Sequence, residues 1–256
     1  MSYILGFIAF IFILIFLVML IGPAVLIGVV VKKSTEKKSP EFLINEKVEM
    51  QQKVAEMVTR LEQQSDIQLS DITNDLDYSY KRWITSILTG YMNAPSGEKV
   101  LAFQRRQRGN DIDVKILAQT KNKSLYFDLN PLETIIDFNG KRLGSITRAA
   151  DIVNAGGQTI GTMLRLGMPE EYSIDFKSGN SATIRGSFDN KMFVNNIHFK
   201  RANHPIPIRR MRKVFREPYT PYAIIKDHSA LTAEEAEWVM AAAILESLVY
   251  SFSFTS

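Results

Sequence analysis

The chain has 256 residues, 46% of them apolar and 23% charged, with a net charge of +4 and no cysteine. The lack of cysteine excludes disulfide scaffolds, thiolate metal sites and a cysteine nucleophile. The composition is that of a globular protein with one very apolar stretch added, not of a disordered or fibrous chain.

That stretch comes first. Ile4 to Val31 carries no charged residue over 28 positions, more than the ~20 a transmembrane helix needs. A cleavable signal peptide is the alternative, but it requires a basic start and a shorter apolar core. Nothing before Ile4 is basic, so 1–31 is read as a retained transmembrane anchor. Lys32, Lys33, Lys37 and Lys38 follow at once. The positive-inside rule then predicts a single-pass protein with its N-terminus outside and its C-terminal bulk in the cytoplasm.

Residues 32–75 read as a basic juxtamembrane segment and helical stalk, with Ile44, Val48, Val54, Val58 and Leu61 at helical spacing and too few heptads for a sustained coiled coil. A solvated spacer helix is the expectation. A break at 66–74 separates it from Leu76, Tyr80, Trp83, Ile84, Ile87, Leu88 and Tyr91, whose spacing of three to four predicts an amphipathic helix, closed by a turn, over 76–97.

From Glu98 the period changes to two. Val100–Phe103, Ile112–Ala118, Leu125–Leu129 and Leu132–Phe138 predict strands, followed by 172–177, 182–188, 191–200, 206–215 and 222–227. Asn139-Gly140 is a type I′ hairpin dipeptide, and Gly156-Gly157, Ser178-Gly179-Asn180 and Asp189-Asn190 are further turn signals. About a dozen closely spaced strands make an antiparallel meander, sandwich or barrel, over 98–256. A repeat of period 17 relates Asn139–Ile146 to Gly156–Met163, and each copy places a glycine, Gly144 or Gly161, inside a strand. Such a glycine makes room for another backbone or marks a bulge.

The last element predicted is a helix over 231–250. Thr232 and Glu235 form a capping box, and Trp238 to Leu245 is apolar on every face. Trp238 to Tyr250 rises only about 20 Å, less than a bilayer core of roughly 30 Å. The helix is therefore expected inside the sheet, with Trp238, Ala242 and Leu245 enclosed. Glu246 within it sits either at the open end of the wrap or against an arginine from the sheet.

The order of these features resembles the tubby C-terminal-like superfamily, including its LURP-one-related and phospholipid-scramblase-like members. The residues that carry the resemblance are Asp137-Phe138-Asn139-Gly140 through Ile146, Gly157 through Met163, and Tyr222–Asp227 leading into Leu231–Tyr250. It implies a closed, twelve-stranded antiparallel barrel threaded by the C-terminal helix. It also implies a link to lipids, since tubby proteins bind phosphoinositides through basic residues and scramblase-like members are associated with lipid movement. The chain departs from animal scramblases in having no Pro-rich N-terminus, no cysteine and only Glu217 and Asp227 as acids over 214–230. Calcium-triggered scrambling is not expected.

Residues 200–217 contain seven cations against Glu217 alone. Within them Arg209, Arg210, Arg212, Lys213 and Arg216 are the candidate lipid-headgroup ligands, because clustered cations near a leaflet attract anionic lipid and arginine grips phosphate bidentately. A solvated basic edge that discourages aggregation is the other reading. Nucleic acid is not expected, because no aromatics interleave the cations. Arg105-Arg106-x-Arg108 could extend the patch if the fold brings it near. No metal-binding histidine pair, P-loop, dinucleotide fingerprint or nucleophile elbow occurs. The sequence therefore predicts a non-enzymatic module without catalytic residues, metal or cofactor. Its expected partners are the bilayer, anionic headgroups, or a protein held through the stalk.

Overall fold

The structure is a computed structural model that describes residues 40–61, 66–82, 85–108, 113–167, 171–185, 200–201 and 223–250. Ile44 to Ser256 forms one compact unit. The predicted anchor at 4–31, the strand predicted at 191–200 apart from Lys200, and the strand predicted at 206–215 lie outside the described residues. Among the described residues no helix is long and apolar enough to cross a membrane.

The fold is mainly β. After helix α1 (Pro40–Val58) and a 3₁₀ turn at Leu69–Asp71 come β1 (Leu76–Arg82), β2 (Thr85–Asn93), β3 (Lys99–Arg108), β4 (Asp113–Gln119), β5 (Ser124–Leu129) and β6 (Glu133–Phe138). They are followed by β7 (Lys141–Thr147), β8 (Asp151–Asn154), β9 (Thr159–Gly167), β10 (Glu171–Phe176) and β11 (Ser181–Arg185). The short β12 (Lys200–Arg201), β13 (Ile225–His228) and helix α2 (Ala233–Tyr250) complete the chain. Strands β1 to β11 pair with their sequence neighbours in an antiparallel meander, β13 joins β11, and β12 borders β1 in parallel.

Two expectations are corrected. Residues 76–82 and 85–93 form the antiparallel pair β1–β2, not an amphipathic helix. Leu76 and Tyr78 on one strand and Leu88 and Met92 on the other are buried at every second position, which is the strand period. The predicted closed twelve-stranded barrel is instead an open sheet of twelve antiparallel strands. Closure needs a ladder between the last strand and the first, and among the described residues β13 and β1 make none. The link across is the bridge between Thr73 and Ala223, with the Ile224 amide donating to Ile72 oxygen at 2.9 Å. It falls before β1 and β13 begin, so the two edges meet beside their strands and not along them.

The sheet nevertheless wraps α2. Trp238 to Leu248 is buried without interruption. Its side chains share one core with Phe103, Ile116, Phe127, Ile136, Ile174 and Ile184 from the inner face. Burial of each large apolar side chain is worth about 1.5–3 kcal/mol, so this helix organises the whole sheet. The capping box starts it as expected: Thr232 N–H donates to Glu235 Oε2 at 2.8 Å, and Glu235 N–H donates to Thr232 Oγ1 at 3.3 Å. Asn139 and Gly140 both have positive φ, +50° and +77°, the signature of a type I′ turn.

The outer face carries a second, smaller core. Met50, Val54, Met57 and Leu61 pack against Ala102 and Leu117, with Tyr91 and Tyr126 alongside. The expected solvated stalk is therefore, from Ile44 onward, a helix laid on the sheet. Its contact stripe at 50, 54, 57 and 61 is a different one from Ile44 and Val48, which face solvent.

Candidate functional site

Arg209, Arg210, Arg212, Lys213 and Arg216 lie outside the described residues. The points where their segment meets the sheet are described. Before it, Lys200 and Arg201 pair with Ser79 and Tyr80 of β1. After it, Ala223 and Ile224 reach Thr73 and Ile72, just ahead of β1. Arg201 and Ala223, the described residues on either side of 202–222, are thus both at the β1 side of the sheet.

The second basic cluster is split by the pleat of β3. Arg105 pairs across the sheet with Leu88 and Ile116, both of the inner core, so it faces inward. It is 5% exposed, and its Nη2 donates to Gln107 Oε1 at 2.7 Å. Arg106 faces outward, where its Nη1 lies 3.0 Å from Glu49 Oε2 and 4.0 Å from Glu46 Oε1 of α1. Two arginines on opposite faces cannot form one surface patch.

The charges on the outer face are mostly matched. Lys47 of α1 donates to Asp137 at 3.2 Å and lies 4.1 Å above the Tyr126 ring, a cation–π distance. Arg142 also reaches Asp137, at 3.3 Å. Beneath them the buried Lys115 donates to Asp128 at 2.8 Å. Burial pulls the Lys115 ammonium down, but the hydrogen bond to Asp128 and the negative groups around it outweigh burial and hold it above its ordinary value. Burial pushes the Tyr126 phenol up to about 12, with Lys115 opposing and Asp128 and Glu46 adding to the rise.

Each end of α2 opens on a depression. At its N-terminal end a hollow of about 460 Å³ is flanked by Lys141 and Arg142 on one side and Glu234 and Glu237 on the other. At its C-terminal end a hollow of about 270 Å³ is lined by Leu129, Ile146, Met163, Tyr172, Arg148 and Glu246. Glu246 is 4% exposed and lies in the last turns of the helix, lining this hollow together with Arg148. His228 ends β13, opposite Ala182 of β11, and is exposed, with Nδ1 3.3 Å from Ser229 oxygen.

Glu235 is a carboxylate whose role the capping box only half announced. Besides its cap contacts it accepts hydrogen bonds from Ser178 Oγ and from Asn180 Nδ2, the latter at 2.8 Å. The Ser178 bond first, then those from Thr232 and Asn180, hold its pKa at about 2 against the opposing effect of burial. The polar turn 178–180 between β10 and β11, 55 residues before Glu235 at Asn180, was the available sequence signal. Among the described residues no group of three histidine, aspartate or glutamate side chains is placed to hold a metal ion. Compared with known proteins, the chain matches no family model, no curated protein and no solved structure.

Proposed function

We propose that the chain is a membrane-anchored, non-enzymatic module that binds or handles anionic phospholipids at the cytoplasmic leaflet. The observation that carries this reading is the density of cations at 209–216 in a chain that also has 28 uncharged residues at 4–31 followed by four lysines. The tubby-like and scramblase-like resemblance points the same way. The packing of the sheet adds support, because α2 fills the interior with apolar side chains, which leaves the rim and outer surface for a headgroup.

The test is binding of the fragment 40–256 to phosphatidylserine vesicles at low salt. Each basic residue near the surface is worth about 1 kcal/mol. Replacing Arg209, Arg210, Arg212 and Lys213 with alanine should therefore weaken binding by roughly two to three orders of magnitude. Unchanged binding would remove the headgroup assignment. It would leave the competing reading, a membrane-tethered scaffold that holds a partner protein. That reading is favoured by Ile44 and Val48, 62% and 42% exposed on the solvent side of α1, and is addressed by crosslinked pull-down with the full chain.

A further inference from the structure

We propose that α1 is a releasable latch: from Ile44 onward it detaches from the outer face of the sheet while the sheet and α2 stay folded. Four features carry this. First, its apolar contact is a core of its own. Met50, Val54, Met57 and Leu61 bury against Ala102 and Leu117, and none of them belongs to the core around α2. Removing the helix therefore opens no cavity in the main core.

Second, the sheet keeps its polar partners without the helix. Asp137 retains Arg142 at 3.3 Å, Lys115 retains Asp128 at 2.8 Å, and Arg106 Nε retains Gln104 Oε1 at 3.0 Å. Gln104 in turn donates to Thr89 at 3.1 Å. Release thus strands none of these three sheet charges, the situation that makes breaking a buried pair so costly elsewhere.

Third, the helix stands close to the limit of independent stability. It has 19 residues, with no basic residue in its last turn to offset the helix dipole. The part that detaches, Ile44 to Val58, is 15 residues long, at the length of about 12–15 below which isolated helices are marginal in water, so its order depends on the contact it makes.

Fourth, the ion pairs sit at the rim of that contact. Glu49 and Lys47 are 66% and 38% exposed at their side chains. Exposed pairs of this kind each contribute little and are weakened by salt. Glu46, 6% exposed and facing Arg106, is the deeper contact. A few weak rim pairs around a small apolar patch make a bond that opens as a unit, the behaviour of a low-stability folding unit on a more stable scaffold.

The latch lies on the path between residues 1–39 and the sheet. If the chain is anchored as proposed above, release of residues 44–61 lengthens the tether by up to roughly 60 Å when extended. The domain then has a near and a far position relative to the membrane. The detachment itself does not depend on the anchored reading, and it is measured without lipid.

The experiment is amide hydrogen exchange of the full chain, with and without low denaturant. Amides at 46–58 should exchange through an opening at least about 100-fold more populated than the one that exposes β4 and β5. Arg106→Gln should speed exchange at 46–58 about tenfold or more and leave β4 and β5 within about twofold. Lys47→Ala, at the rim, should act in the same direction and more weakly, and it serves where Arg106→Gln does not fold. Exchange of α1 at the same rate as β4 and β5, or a variant that speeds both equally, would overturn the latch. Neither result bears on vesicle binding by the 209–216 cluster, so the two proposals fail separately.

Discussion

A side chain at Gly144 would place its Cβ 2.9 Å from Cζ2 of Trp238 and 2.0 Å from the Val153 carbonyl oxygen. The strand glycine of the first repeat thus lets β7 pass close to the central helix. Its φ of +152° is rarely adopted by other residues. Gly144→Ala should therefore destabilise the domain by about 2–4 kcal/mol, through overpacking and backbone strain together. Thermal denaturation followed by Trp fluorescence reads this. A melting point within a degree of the parent would mean that β7 moves aside freely. The second repeat glycine differs: at Gly161 a Cβ would meet Asp175 oxygen at 2.6 Å and Phe176 on the neighbouring strand, not the helix.

Glu235 makes stability depend on acid. Its folded pKa is about 2, below the ordinary carboxylate value of about 4.3 in an unfolded chain. A depressed carboxylate contributes stability that is complete above the unfolded value and is lost as pH falls toward the folded one. Glu235→Gln should cost about 1–2 kcal/mol at pH 7, the scale of a lost cap plus a charged hydrogen bond. The difference from the parent should shrink between about pH 5 and pH 2. Urea midpoints of both proteins across that range measure it. A gap that stays constant down to pH 2.5 would show that the carboxylate charge is not what holds Ser178 and Asn180.

Much of the fold was legible because local and global signals agreed. Asn139-Gly140, the Thr232–Glu235 box and the alternating strands from Val100 to Phe138 each encode their element within a few residues. The hairpin at 76–93 was not legible, for a definite reason. Leu76, Tyr80, Trp83, Ile87 and Tyr91 satisfy a period of 3.6, and the connecting residues Trp83-Ile84 contain none of the glycine, proline or asparagine that punctuates a turn. The true alternation on β2 also passes through Gly90, which is buried but has no side chain to register as apolar. A Cβ there would clash with Asp77 oxygen at 2.2 Å and with Tyr78. The packing of α1 was missed because two stripes share the helix. Ile44 and Val48 drew attention to the exposed one, whereas the buried one depends on Met50 and Met57. Of the candidate site, the sequence supplied the cations, and the structure adds only where their segment joins the β1 edge.

Burial of α2 predicts a sharp asymmetry between substitutions of equal chemistry. Ala242 is 1% exposed and central in α2. Ala242→Arg forces an unpaired cation into an apolar interior, at a cost of several kcal/mol, comparable with the whole stability of a domain at about 5–15 kcal/mol. The domain should unfold. Leu132→Arg, at a position 76% exposed in the β5–β6 turn, should change stability by no more than about 0.5 kcal/mol. Circular dichroism and proteolysis of the two variants distinguish them, and a folded Ala242→Arg protein with normal melting would refute the enclosed helix.

The pair beneath α1 predicts a matching sensitivity to alkali. Tyr126 ionises only at about 12 in the folded protein, against about 10 when unfolded. A phenol with a raised folded pKa favours folding fully below the unfolded value, and that advantage drains away as pH rises between the two. Lys115 is also raised, as a cation whose stabilising partner Asp128 lies 2.8 Å away. Its contribution is complete below the unfolded pKa of about 10.4 and is lost as pH rises through the folded one. Both signs agree, so stability should fall from about pH 10 upward. In a spectrophotometric titration of the nine tyrosines, Tyr126→Phe should remove one phenol from the part of the curve that ionises after the freely titrating ones. Asp128→Asn, which leaves Lys115 buried without its carboxylate, should lower stability at neutral pH by about 3–5 kcal/mol. If the late part of the curve is unchanged in Tyr126→Phe, the burial of this pair under α1 is not what delays ionisation.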